Sequence, residues 1–305
     1  MTRVALLKGG RSGERPISLK SAEQVAIGLR SEGFDVVEID TGESGFITEL
    51  AESGADVAFI CLHGRGGEDG TIQGVCELLD MPYTGSGVLA SALAMDKNMA
   101  KIVYEAAGVR TPPSITLRAG RGYDLEAIFG TLGDDLVVKP AHEGSSLGIS
   151  FIEGRGGLEE GIAAGFELDD TLIVEKFVSG MEATVGVLGN DDPQALPTIE
   201  ITRELDHYDF EAKYTPGLSA HVIPARISPE LEAECRALGV AAHEALGCRG
   251  MSRSDILIDA DGVPWVIETN TIPGMTPVSL LPDAAKSIGI EWGPLCRMIV
   301  ELALE

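Results

Sequence analysis

The chain has 305 residues, 44% of them hydrophobic, and a formal net charge of −25. That length exceeds one small core and implies two or three domains, and the hydrophobic content excludes a disordered chain. The acidic balance argues against nucleic acid or an anionic membrane as partner, and no apolar run approaches the roughly 20 residues needed to span a bilayer.

From the N-terminus, Arg3 is followed by only Val4, Ala5, Leu6 and Leu7 before Lys8, too short a run for a signal peptide. Residues 4–7 read as a buried strand that enters the Gly-rich segment 8–15. A helix over about 16–30 follows, with Pro16 in its first turn. Strands are expected at 34–39 and 56–62, and a Gly-rich loop from His63 leads into a helix near 71–79. Strand, helix and strand in this order imply a parallel α/β layer with ligands at the carboxyl ends of the strands. This first domain spans 1–95. Its His63-Gly64 turn is an anion or substrate platform, although a lone histidine there is more often structural.

A middle domain, 96–180, opens with a helix around 98–107 and continues with strands at 114–117, 136–139, 149–152 and 172–177. The last domain, 181–305, has strands near 182–188 and 195–201, then a polar stretch from 203 to 221. A helix at about 229–246, a hairpin and a terminal helix complete it. The five cysteines, at 61, 76, 235, 248 and 296, form no CxxC pair and are odd in number. They suggest a reducing, cytosolic setting without structural disulfides or zinc.

Three segments carry chemistry. Residues 136–140 lead into Ala141-His142-Glu143-Gly144-Ser145-Ser146-Leu147-Gly148, then strand 149–152. No GxxxxGK[ST] string exists, but a Gly/Ser hairpin loop can still fold over phosphates, with Lys139 as a point charge. An ordinary polar hairpin fits the same letters equally well. In the strand 172–177 an apolar slot beside Glu175, Lys176 and Phe177 could read an adenine, although a plain buried strand is the simpler reading. The segment 203–221 interleaves aromatic and charged residues, which favours an ordered lid.

The most informative segment is the hairpin 253–270, turning at Asp259-Ala260-Asp261-Gly262. A regular ladder with the turn closing between Ala260 and Asp261 sets Arg253 opposite Glu268 and Asp255 opposite Val266. Arg253, Asp255, Glu268 and Asn270 then share one face. Two carboxylates and an amide oxygen suit Mg²⁺, and the arginine can stabilise developing negative charge. A half-exposed sheet face with one Arg–Glu pair is the bland alternative.

Taken together, these strings resemble the D-alanine–D-alanine ligase family of the ATP-grasp superfamily. The likeness rests on Gly9-Gly10 with Ser12 and Glu14, His63-Gly64 with Gly67-Glu68-Asp69-Gly70, and Asp96-Lys97. It continues through Lys139-Pro140 with Glu143 to Ser146, Tyr208-Asp209 with Ala212-Lys213-Tyr214, Arg253 with Asp255, and Glu268 with Asn270 through Thr276 and Ser279-Leu280. It implies an α/β ATP-grasp fold, in which an N-terminal parallel α/β domain precedes two α+β domains that sandwich ATP. The implied activity joins two D-alanine molecules through an acylphosphate, releasing ADP and phosphate.

The resemblance also implies roles. Lys97, Lys139, Ser146 and Lys213 would hold ATP phosphates. Glu175, Lys176 and Phe177, with Glu182 on the ribose, would hold the nucleoside. Asp255, Glu268 and Asn270 would hold two Mg²⁺ ions, with Mn²⁺ as an alternative. Glu14 and His63 would fix the first D-alanine, and Ser279 and Leu280 the carboxylate of the second. Arg253 and the Gly274 backbone would stabilise the oxyanion, while Glu14, Ser145 and Tyr214 would tie a lid shut. A cytoplasmic homodimer is implied as well. Pro16 and Ser254 depart from the family pattern, in which an acidic and an aliphatic residue are commoner. The competing readings are a ligase of the same fold that joins D-alanine to D-lactate or D-serine, and a non-catalytic nucleotide sensor. Tyr214 and the intact set of Arg253 and metal ligands argue against these.

Overall fold

The computed structural model describes residues 1–144, 147–203 and 219–305, so Ser145, Ser146, Lys213, Tyr214 and most of the expected lid lie outside the described residues. The first sheet is parallel: β1 (Arg3–Lys8) lies between β2 (Asp35–Asp40) and β3 (Val57–Ile60). Its helices are α1 (Arg15–Ser31), α2 (Phe46–Glu52) and α3 (Thr71–Leu78), whereas the next helix, α4 (Val88–Met95), joins a separate core with Tyr104 and Val266. Alternation on β1 explains its unbroken apolar run. Val4 and Leu6 face α1 and the end of the chain, while Ala5 and Leu7 face Leu50 of α2 and Ile72 of α3. A parallel sheet covered on both sides needs apolar residues at every position.

A second, antiparallel sheet is built from β4 (Ser114–Arg118), β5 (Leu136–Pro140), β6 (Ser150–Ile152) and β7 (Thr171–Lys176), in the order β4-β7-β5-β6. Helix α5 (Lys97–Ala107) precedes it, and α6 (Leu125–Leu132) and α7 (Leu158–Phe166) pack on it. The third sheet contains β8 (Gly180–Gly189), β9 (Gln194–Ala195), β10 (Ile199–Arg203), β11 (Ser219–Val222), β12 (Gly250–Asp259) and β13 (Pro264–Asn270). Three helices complete the chain: α8 (Pro229–Leu246), α9 (Leu280–Ser287) and α10 (Trp292–Leu304).

Two expected elements are divided. The strand expected at 195–201 is broken into β9 and β10 around Pro197, which has no N–H to give the ladder. The single terminal helix is α9 and α10, separated at Gly289, whose φ of +87° ends a helical turn. Helix α10 returns to the start of the molecule, where Trp292 donates its indole N–H to Gln24 O at 3.0 Å and Leu295 and Ile299 join the core of β1. Helix α5 buries Ala100 and Tyr104 against Ala242 and Leu246 of α8 and Val266 of β13. No helix among the described residues is long and apolar enough to cross a membrane.

The hairpin register differs from the regular ladder. Arg253 pairs with Asn270 and Asp255 with Glu268, then a bulge shifts the pairing to Ile256 with Val266 and Ile258 with Pro264. Val266 and Pro264 therefore lie on the core face with Ile256 and Ile258, all four buried. In an unbroken ladder Glu268, two residues from Val266, would share that buried face. The extra residue, Ile267, flips the parity, and Glu268 and Asn270 emerge beside Arg253 and Asp255. The expected grouping holds, for a reason other than the expected register. The turn is held by the Asp259 carboxylate, which accepts the N–H of Asp261 and Val263 and the Trp265 indole N–H.

Candidate active site

The open face of β12, β13 and β8 carries a dense polar array. Arg253 grips Asp255 with two hydrogen bonds, Nε to Oδ1 and a terminal nitrogen to Oδ2, both 2.9 Å. Thr184 of β8, the register partner of Asp255, donates its hydroxyl to Oδ1 at 2.7 Å. Burial alone would lower the Arg253 pKa, but the charges of Asp255 and Glu268 raise it, so the guanidinium stays charged. Glu182 is paired with Leu257 and lies two residues from Thr184, on the same face. Lys97, at the start of α5, reaches Glu268 at 3.9 Å and donates to Glu143 O at 2.6 Å. It thus ties the backbone at Glu143 to the carboxylate face. Asn270 accepts the Ile272 N–H at 2.8 Å, which turns the chain out of β13. Ser254 faces the other way and is fully buried. Its hydroxyl meets that of Thr269 at 2.7 Å, and Thr269 accepts from Tyr104 at 2.7 Å. This hydroxyl chain accounts for a serine where an aliphatic residue is usual.

The carboxyl ends of β1 and β3 close one side. Gly64 has φ +68°, and a Cβ there would come within 2.5 Å of Glu14 Oε2. Only glycine fits both demands. The N–H of the same residue donates to Glu68 Oε2 at 2.6 Å, so the Glu14 and Glu68 carboxylates flank one glycine. Burial first, then the nearby Glu14, push the Glu68 carboxyl up to about 7. His63 is buried and lies 3.4 Å from Ser21 Oγ. Burial and the Arg253 charge lower its pKa to about 4, partly offset by a hydrogen bond to the Ile272 backbone, so the imidazole is neutral at pH 7.

The chain that leaves β13, 271–280, carries further predicted residues. Ser279 precedes α9 but does not cap it; its hydroxyl lies 2.8 Å from Thr276 Oγ1 and accepts the Thr276 N–H at 3.2 Å. The first N–H groups of α9, starting at Leu280, are left as an anion platform. Gly274 packs on Ser279, which a Cβ would crowd at 3.1 Å.

The second sheet supplies a buried ion-pair cluster. At the end of β7, Glu175 is buried and accepts from Lys139 at 2.6 Å and from Lys101 at 2.7 Å. Burial would raise its pKa, but the two ammonium groups outweigh this and hold it ionised. Lys139 is therefore paired with a carboxylate, where the sequence suggested a charge aimed only at phosphate. Lys176 and Phe177 are exposed, and Phe177 meets Phe151 edge-to-face, with ring centroids 5.9 Å apart.

Of the sequence-predicted residues, Arg253, Asp255, Glu268 and Asn270 thus share one sheet face that Lys97 reaches, and Glu14 and His63 lie near it at the ends of β1 and β3. Gly274, Ser279 and Leu280 follow β13 in the chain, Lys139 and Glu175 pair on the second sheet with Lys176 and Phe177 next in sequence, and Glu182 stands on β8. Sequence reasoning missed four residues. Glu68 was visible only inside its Gly-Glu-Asp-Gly string. Lys101 follows Lys97 by one helical turn, a spacing that puts both on one face. Thr184 alternates with Glu182, and Phe151 is the outward position of β6. Among the described residues no three His, Cys, Asp or Glu gather as a metal cluster. The set of Asp255, Glu268 and the Asn270 amide oxygen nonetheless has the hard-oxygen chemistry of a Mg²⁺ site, and Asp255 and Glu268 are direct cross-strand neighbours.

Comparison with known proteins gives one answer. Residues 103–301 match the family described as D-ala D-ala ligase C-terminus, and residues 44–86 match D-ala D-ala ligase N-terminus. The D-alanine–D-alanine ligase of Pelotomaculum thermopropionicum is 44% identical over 309 residues, covering 99% of this chain and 97% of the relative. That of Bordetella petrii is 46% identical over 302 residues, covering 99% and 92%. The crystal structure of the Bacillus anthracis D-alanine–D-alanine ligase superposes with a TM-score of 0.89 at 33% identity, covering 100% of this chain and 98% of that one. The same enzyme complexed with ATP gives 0.87 at 31% identity.

Proposed function

Because the chain belongs to the D-alanine–D-alanine ligase family, we infer that it joins two D-alanine molecules at the expense of ATP, forming D-alanyl-D-alanine, ADP and phosphate. The dipeptide serves peptidoglycan synthesis. The observation that carries the catalytic reading is the bulged hairpin, which sets Arg253, Asp255, Glu268 and Asn270 on one face.

A carboxylate is a poor electrophile, so the reaction runs in two steps. The γ-phosphoryl group of ATP passes to a carboxylate oxygen of the first D-alanine, and ADP leaves. The amine of the second D-alanine then attacks the acyl carbon, loses a proton and expels phosphate. We assign Glu14, with His63 behind it, to holding the first D-alanine, supported by the close approach of Glu14 to Gly64, the residue that follows His63. Ser279 and the Leu280 N–H take the carboxylate of the second, at the start of α9. Arg253 and the Gly274 N–H face the oxyanion of the tetrahedral intermediate. Lys97 and Lys139 hold phosphates, and Glu175, Lys176, Phe177 and Glu182 hold the nucleoside. Ser145, Ser146, Lys213 and Tyr214 keep the roles that family resemblance implies.

Asp255, Glu268 and Asn270 would hold Mg²⁺, two ions by family resemblance, which when bound neutralise charge on the transferring phosphoryl group. Arg253 then holds Asp255 in place, and Lys97 steadies Glu268 from the other side. Five free, buried cysteines fit a reducing compartment, and we place the protein in the cytoplasm as a homodimer.

The test is ADP release with D-alanine, L-alanine, D-lactate or D-serine as the acceptor, with and without EDTA. D-alanine alone should give full turnover, abolished by EDTA. Release of AMP and pyrophosphate, or turnover indifferent to EDTA, would contradict the assignment.

A further inference from the structure

Lys101 has no part in the roles given above, yet it is among the most completely engaged side chains in the protein. Its side chain is 5% exposed. An ammonium group has three donors and no acceptor. Here the three acceptors are Thr111 Oγ1 at 2.8 Å, Pro112 O at 2.7 Å and Glu175 Oε2 at 2.7 Å. The other Glu175 oxygen takes Lys139 at 2.6 Å.

Each of these bonds leads to the nucleoside slot. The first route is the Glu175 carboxylate, clamped at both oxygens. A carboxylate has about four lone-pair sites, so two lysines leave it able to accept one further hydrogen bond from a ligand. The second route is the backbone. Lys101 pins the 111–112 turn, and the next carbonyl, Pro113 O, accepts the N–H of Lys176 at 2.9 Å. Glu175 is itself the register partner of Ser114 in β4 and Val137 in β5. One ammonium on α5 therefore fixes the side chain of Glu175 and, through one turn, the main chain of Lys176.

The consequence is selectivity between purines. Adenine offers an amino donor where guanine offers a carbonyl acceptor. A carboxylate held between two ammonium groups stays ionised and can only accept. It satisfies the amino group and leaves the guanine carbonyl unpaired against an acceptor, the kind of mismatch by which a polar site rejects an analogue. Without Lys101 the buried carboxylate keeps one cation and can take up a proton, which lets it donate to guanine, and it can rotate, which relieves the opposition of two acceptors.

We propose that Lys101 is a positioning residue that enforces adenine over guanine by fixing the Glu175 carboxylate and the Lys176 backbone. The inference rests on the nucleoside role proposed above for Glu175 and Lys176. The bland alternative is a buried ion pair that serves folding alone.

The experiment measures ADP and GDP binding by calorimetry, in Mg²⁺, for the parent, Lys101→Met, Thr111→Val and Glu175→Gln, with circular dichroism as a fold check. Lys101→Met should lower the ADP-over-GDP ratio roughly tenfold, the size of one lost hydrogen bond to a charged group. KM for D-alanine should stay at the parent value. Thr111→Val keeps the ion pair and removes one uncharged acceptor of the ammonium; it should lower the ratio roughly threefold, less than the loss of the Lys101–Glu175 pair. A folded Lys101→Met protein that loses affinity for both nucleotides equally, or for neither, overturns the proposal. If that variant does not fold, an unchanged ratio in Thr111→Val overturns it. Glu175→Gln separates the two layers. If it keeps the full preference for ADP, the nucleoside reading of Glu175 fails and the inference with it. If it loses the preference while folded Lys101→Met keeps it, only the positioning role fails.

Discussion

Asp255 and Glu268 face each other across β12 and β13 although Glu268 is only two residues from Val266, which is buried on the opposite side of the sheet. Ile267 is the residue that makes both placements compatible. Bulges of this kind recur beside active sites because they re-aim side chains without moving the strand.

Glu268 faces Asp255 and Lys97 but anchors no core contact. Glu268→Gln should therefore reduce turnover at least about a hundredfold, since it removes a charge that offsets phosphoryl-transfer charge. Its effect on stability should stay within about 1 kcal/mol, the scale of an exposed cross-strand pair. Steady-state kinetics beside thermal melts checks both. Near-normal turnover in the folded variant would return the hairpin to a plain polar face.

Arg253 holds Asp255 through two parallel bonds, a geometry that a lysine cannot copy. Arg253→Lys should lower kcat by about 10²–10³, the usual effect of losing an oxyanion donor. Affinity for ATP should change much less. A comparable rise in KM for ATP with kcat intact would place Arg253 in nucleotide binding instead.

Glu68 and His63 should oppose each other in the pH dependence of stability. When folded, Glu68 keeps its proton up to about 7, whereas the unfolded carboxyl releases it near 4.5, so its contribution falls as pH rises across that window. His63 is neutral when folded down to about 4 but titrates near 6.5 when unfolded, so its contribution rises with pH between those values. Glu68→Gln removes only the first effect. In melts with EDTA from pH 4.5 to 7 the variant should gain on the parent as pH rises. A difference that is constant with pH would show that Glu68 does not titrate in this range.

The net charge of −25 should make moderate salt stabilising, because ions screen the self-repulsion of the folded chain over a Debye length of about 8–10 Å. Melting midpoints in rising KCl should climb. A flat or falling midpoint would mean that the acidic groups are too dispersed to repel, or that screened ion pairs such as Arg15–Asp40 matter more.

What the sequence determined on its own was mostly local. The apolar run of β1, the Pro-led starts of α1 and α8 and the Asp-Ala-Asp-Gly turn follow from residue type and spacing, and all formed close to where they were expected. The candidate site residues could be proposed from sequence because they come in short strings with particular chemistry. The tertiary structure decided the rest. The bulge at Ile267 depends on Val266 being drawn into a core shared with α5 and α8, which no local pattern reveals. The partners of Glu175 lie 74 and 36 residues away in sequence, so their meeting depends on how α5, β5 and β7 pack. The acidity of Glu68 and the neutrality of His63 arise from burial and from charges on other elements. Residue types set which chemistry is available. Long-range packing sets which groups meet, and in what state of charge.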